Sequence, residues 1–214
     1  MRANRSQSVN LCLRFNDLKI LFNIPRDPYM LKNPSRLQSA LFITLGLVAL
    51  ATSAQAEPIS ATVAGQKTMS KFMINLAKFV TWPEDRFDGA TAPYKYCLMG
   101  DDPFSGTLEA AVSDKRAKNR GFRVEQLDLS DVEFAKSCHV VFLSVPVADN
   151  ATAVIDSLSG LPILTVGEVE KFAQYGGMVG FLGKGRKLAL AVNQKRLEAA
   201  GLKASSRLYR ASNM

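Results

Sequence analysis

The stretch Ser137–Val145, SCHVVFLSV, decides how this chain folds. From Cys138 onward it is apolar at nearly every position, with no alternation between inward and outward residues, and that density fits a strand buried on both faces. Such strands belong to α/β sheets covered by helices on each side. The same stretch holds the sole histidine, His139, next to Cys138, and this raises a chemical question. Neighbouring strand residues point to opposite sheet faces, so the two side chains cannot easily pair as nucleophile and base. A lone strand histidine reads instead as a hydrogen-bonded structural residue.

Outward from this run, further strand-like segments stand at 94–100 (YKYCLMG), 121–129 (GFRVEQLDL), 162–166 (PILTV), 177–183 (GMVGFLG) and 187–193 (KLALAVN). Helical patterns lie between or after them at 103–115, 147–158, 169–176, 193–202 and 205–212. Strands alternating with helices predict an α/β sheet that is at least partly parallel. Gly183-Lys184-Gly185-Arg186, flanked by two strand-like runs, predicts an antiparallel hairpin closing the sheet. Before the first strand, Met69, Phe72, Met73, Leu76 and Val80 recur at spacings of three and four, an amphipathic helix that Pro83 is expected to stop. The fold class is therefore α/β: a single domain with a mixed sheet flanked by helices and a C-terminal hairpin.

The N-terminal part reads differently. Within residues 30–58, Lys32 and Arg36 precede an uncharged run from Ser39 to Ala51, and Ala54-Gln55-Ala56 follows. This is the layout of a secretory signal peptide, with cleavage after Ala56. The run is shorter than the roughly 20 apolar residues a membrane helix needs. Residues 1–29 fit neither a signal nor a domain and read as an overextended start, which gives the division 1–29, 30–56 and an exported domain at 57–214. That domain holds 20 basic and 17 acidic residues, so the whole-chain charge of +8 falls to +3. This balance gives no argument for nucleic acid binding. The cluster Lys115, Arg116, Lys118, Arg120 and Arg123 has no interleaved aromatic residue and reads as a solvated helix end.

Candidate chemistry is sparse. GMVGFLGKG lacks P-loop spacing, since Met178 and Gly185 stand where a glycine and a hydroxyl residue are required. Asp101 and Asp102 precede a helical pattern, where carboxylates satisfy free backbone N–H groups. Two cysteines and one histidine show no short metal-ligand spacing, and no C-x-x-C motif supports thiol exchange. No catalytic set, metal or cofactor is expected. An exported domain with the two cysteines Cys97 and Cys138 favours a disulfide, with two buried free thiols as the alternative.

The ordered set NLAKFVTWP, YCLMGDDPF, CHVVFLS, PILTVGEVEKFAQYGGMVGFL, LALAVN and AGLKASSRLYRAS resembles the YfiR-like family of periplasmic proteins. The resemblance implies a small periplasmic α/β regulator without covalent chemistry. Its partner would be the periplasmic domain of an inner-membrane signalling protein, a diguanylate cyclase held inactive, so that release raises cyclic di-GMP and promotes biofilm formation. Cys97 and Cys138 match the family's disulfide pair, whereas a second, short-loop pair of the best-known member has no counterpart here. Phe172 and Tyr175, in the segment TVGEVEKFAQYGG, are the candidate partner-binding anchors, because buried aromatics dominate interfaces, and the alternative is that both are core residues of that helix. A homodimer stays open. The alternative function is a periplasmic small-molecule sensor acting on another membrane signalling protein, its ligand in a cleft at the carboxyl ends of the strands.

Overall fold

The computed structural model describes residues 58–144, 151–169, 171–184 and 187–212. The segments expected as extension and signal peptide, the first part of the 147–158 helix and the hairpin residues Gly185 and Arg186 lie outside the described residues.

The amphipathic stripe forms α1, Val63–Phe79, which starts at Thr62, whose hydroxyl accepts the Gly65 N–H (3.1 Å). Met69, Met73, Leu76 and Ala77 of α1 are buried, as is Val80 just beyond it. The helix stops before Pro83 is reached. Val80–Thr81 becomes a short strand, β1, and pairs antiparallel with Lys203–Ala204, β8. A two-residue strand whose partner lies more than a hundred residues away leaves no local signal.

The main sheet comprises β2 (Tyr94–Met99), β3 (Phe122–Leu127), β4 (Val140–Leu143), β5 (Leu164–Gly167), β6 (Val179–Lys184) and β7 (Lys187–Val192). Their order is β3-β2-β4-β5-β6-β7; the first five are parallel and β7 is antiparallel to β6, in register Lys184 with Lys187. This is the mixed α/β sheet with a closing hairpin that the alternation predicts. Short helices connect or follow the strands: α2 (Thr107–Val112), α3 (Val132–Ala135), α4 (Thr152–Ser157), α5 (Gln194–Ala199) and α6 (Ser206–Ser212).

All four residues of β4 are buried, because the strand is sandwiched. Val140 and Phe142 join the core formed with α1, α2, α5 and α6, where Phe142 meets Phe104 edge-on and Phe181 at a tilt. Val141 and Leu143 join a second core with Cys97, Cys138, Val154, Ile155 and Phe172. The chain runs outward from β2 to β3 and then returns to place β4 on the other side of β2. The strand order therefore reverses between β2 and β4.

Candidate functional site

Cys97, in β2, and Cys138, two residues ahead of β4, are joined in a disulfide with their Cα atoms 6.2 Å apart. Both are essentially inaccessible, 1 % and 0 % exposed. The sulfurs sit in the core beneath α3 and α4, while the His139 ring lies on the other face among Phe87, Trp82 and Tyr94, stacked on Phe87 at 4.4 Å between centroids. The alternation of side chains along the extended chain separates the two neighbours, and among the described residues no Cys-His pair exists.

His139 serves the framework. Its Nδ1 accepts the Lys95 N–H (3.0 Å), which assigns the remaining proton to Nε2, a buried atom without a hydrogen-bond partner. The His139 carbonyl accepts the Trp82 indole N–H (3.1 Å). Burial, reinforced by the Arg86 guanidinium, pushes the imidazole pKa down to about 4. At neutral pH the ring is uncharged and shielded from solvent, so it has neither the access nor the partner that a general base needs.

The basic cluster departs from the expected solvated helix end. Ala117 and Arg120 bridge a tight turn whose two central residues, Lys118 and Asn119, both have positive φ. From it the Lys118 ammonium donates to the Val80 carbonyl and to the Thr81 hydroxyl, both at 2.9 Å. Arg120 is buried. It donates to the carbonyls of Gly89 (2.6 Å) and Ala92 (3.1 Å), pairs with Glu84 and lies 3.7 Å above the Phe87 ring centroid. These two cations fasten the end of α1 and the segment leading into β2; Arg120 alone of the cluster is buried, while Lys115, Arg116, Lys118 and Arg123 are exposed.

Of the segment expected as a helix at 169–176, Glu170 lies outside the described residues and 171–176 form hydrogen-bonded turns, with Phe172 N–H bonded to the Val169 carbonyl and Gly177 N–H to that of Phe172. The cause is the Phe172 ring, which fills the space beside Gly167 and Gly177; a Cβ at either glycine would overlap it. Phe172 is consequently 1 % exposed and belongs to the core, which corrects its candidate role as an accessible anchor. Tyr175, three residues on, is 48 % exposed.

At the carboxyl ends of β2 and β4, polar groups fix the backbone. The Asp102 carboxylate accepts the N–H groups of Phe104 (2.8 Å) and Gly106 (3.1 Å), which is the turn role expected of it. Ser144 and Gln126 donate to the carbonyls of Met99 and Gly100 respectively. Glu168, at the end of β5, accepts the Ser60 N–H (2.8 Å). Among the described residues, no cluster of three or more His, Cys, Asp or Glu side chains is placed to hold a metal ion, and no helix is long and apolar enough to cross a membrane.

A family model described as YfiR/HmsC-like matches residues 66–213. The chain belongs to the YfiR/HmsC-like family. No curated protein matches it. The matched region of this YfiR/HmsC-like chain begins within α1 and runs through α6, so it contains the entire six-stranded sheet, both cysteines and Tyr175.

One residue that the sequence reading passed over in this YfiR/HmsC-like domain is Arg196. It lies in the helical pattern 193–202, but only the folded chain shows what it faces. Asn193 caps α5 by accepting the Arg196 N–H (3.2 Å), and its amide donates to the Ala173 carbonyl (2.9 Å). The Asn193 side chain thus joins α5 to the Tyr175 loop and brings the Arg196 guanidinium beside Gly176.

Proposed function

We propose that this YfiR/HmsC-like protein is a periplasmic regulatory binding protein that represses a membrane-bound diguanylate cyclase by binding its periplasmic sensor domain, thereby lowering cyclic di-GMP. Family membership carries the reading, because members are periplasmic regulators of diguanylate cyclase signalling. The signal-peptide pattern of residues 30–56, with cleavage after Ala56 and a working domain at 57–214, supports export. A buried disulfide is in keeping with an oxidising compartment. The shielded, neutral state of His139 supports a role in binding rather than covalent chemistry.

Repression by binding is a population shift. The protein must bind the inactive state of the cyclase more tightly than the active one, by about 10⁴-fold for a complete switch. The test is cellular cyclic di-GMP in a strain lacking the gene, complemented with the intact protein. A rise on deletion that complementation reverses supports the reading; an unchanged level, with the cyclases expressed, refutes it.

The reversal of strand order between β2 and β4 favours a second reading, a sensor that binds a small molecule at the carboxyl ends of those strands. A rise in the melting temperature of the purified protein with a metabolite, in the absence of any partner, would support it.

A further inference from the structure

The charge of the domain is unevenly placed. Residues 57–193 carry 15 basic and 16 acidic side chains, whereas residues 194–214 carry five basic and one acidic. The excess positive charge therefore belongs to α5, β8 and α6. Its inner margin adjoins the Tyr175 loop, where Ala173 and Gln174 form one wall of an open groove and Asn193, Lys195 and Glu198 form the other. Beside this groove a narrow recess, walled by Ile155, Leu158 and Met178, has Arg196 at its lining. Arg196 is held in place by donating to the Ser159 hydroxyl (2.8 Å) and by packing beside Gly176, where a Cβ would lie 3.0 Å from the guanidinium. Among the described residues, Lys171, Lys195 and Arg196 have no carboxylate within ion-pair distance.

We propose that the groove between the Tyr175 loop and α5, together with the adjoining recess, is the docking surface for an acidic segment of the partner protein, with Lys195 of the groove and Arg196 of the recess receiving its carboxylates and Tyr175, between them in the loop, packing on its backbone. This rests on the regulatory reading above and names the surface that would serve it. Three features select the occupant. The cations have no ion-pair partner among the described residues, and the carboxylate in the groove wall, Glu198, accepts the Gln194 amide (2.7 Å), so the surface favours negative charge. A guanidinium fork already fixed by Ser159 suits the planar carboxylate, and it loses little freedom on pairing. An exposed aromatic between Gln174 of the groove and Gly176 of the recess matches a protruding peptide, whereas a lipid surface is flat and would engage flexible lysines around its periphery.

The experiment titrates the exported protein with the purified periplasmic sensor domain of each membrane diguanylate cyclase of its host, at low and at physiological salt, using wild type, Tyr175→Ala and Lys195→Glu/Arg196→Glu. One sensor domain is expected to bind wild type, with affinity falling at higher salt. The charge-reversed variant should lose about tenfold or more, and Tyr175→Ala a smaller factor, with melting temperatures unchanged. If no sensor domain binds wild type, the regulatory reading fails. If one binds both wild type and the reversed variant equally, the docking surface fails while that reading stands. Wild-type binding to phosphatidylglycerol vesicles that the reversal abolishes, or conversion of a dimer to a monomer by the reversal, would assign the surface to lipid or to a second copy and overturn the proposal.

Discussion

Removing the covalent link between Cys97 and Cys138 should lower stability by an amount the structure sets. The two residues are separated by 41 positions, and closing a loop of that length in the unfolded chain is worth about 4 kcal/mol at 25 °C in the chain-entropy relation. Both sulfurs are already buried in the core, so a reduced pair stays packed as two small apolar groups and the loss is close to the loop term alone. For a domain of this size each kcal/mol moves the melting temperature by about 2–4 °C, which gives a fall of roughly 8–16 °C. The assay is thermal unfolding of the exported protein with and without a phosphine reductant, alongside Cys97→Ala/Cys138→Ala. The double variant should melt at a temperature near that of the reduced wild type and be indifferent to reductant. Thiol titration of the oxidised, denatured wild-type protein should find neither Cys97 nor Cys138 free. A fall smaller than about 3 °C, or two titratable thiols in the untreated protein, would refute the reasoning.

His139 makes stability depend on acid. Its folded pKa of about 4 lies below the ordinary 6.5, so between those values the unfolded chain binds the extra proton; the full contribution is present above pH 6.5 and is lost as pH falls towards 4, about 3 kcal/mol in all. Urea unfolding at pH 7 and pH 4.5 should show this loss in wild type and much less in His139→Asn, which keeps an acceptor for the Lys95 N–H; equal pH dependence in both would contradict it. Arg120→Ala strands the Gly89 and Ala92 carbonyls and removes the cation from Phe87, which should cost about 3 kcal/mol by denaturant unfolding, against less than about 0.5 kcal/mol for exposed Arg116→Ala. Phe172→Ala should destabilise by about 3–5 kcal/mol, whereas Tyr175→Ala should leave the melting curve unchanged; the reverse ranking would overturn their placement.

What could be read along the chain is what local pattern dictates. Val140–Leu143 announces a doubly covered strand because no position in it tolerates water, and the Gly183–Arg186 segment announces a hairpin because two apolar runs flank it. Phe172 is the counter-case. Its segment has a helical spacing of apolar residues, but Gly167 and Gly177 bring two stretches of backbone against one ring, and that constraint lies in the third dimension. Arg120 was equally illegible, since its acceptors at Gly89 and Ala92 are carbonyls about thirty positions away, which any sequence would supply. The candidate docking surface was half legible: Tyr175 stood out as an aromatic in an expected helix, but Arg196 joined it only through the Asn193 contact with Ala173.

The positions of the staple and of the groove separate stability from docking. The loop closed by the disulfide contains α2, the edge strand β3 and α3, all on one side of the strand reversal. β3 is hydrogen-bonded to β2 alone, so freeing Cys138 removes the tie that returns this excursion to β4. The groove belongs to the other half, where the loop following β5 meets α5 after β7. Reduction should therefore loosen residues 98–137 first, in amide exchange, while the Tyr175 loop and α5 keep their protection. It follows that a strain carrying Cys97→Ser that fails to restore low cyclic di-GMP should also show reduced periplasmic abundance of the protein, whereas Lys195→Glu/Arg196→Glu should fail at full abundance. A Cys97→Ser protein present at wild-type level yet unable to bind a sensor domain would break this separation and make the disulfide part of the binding mechanism itself.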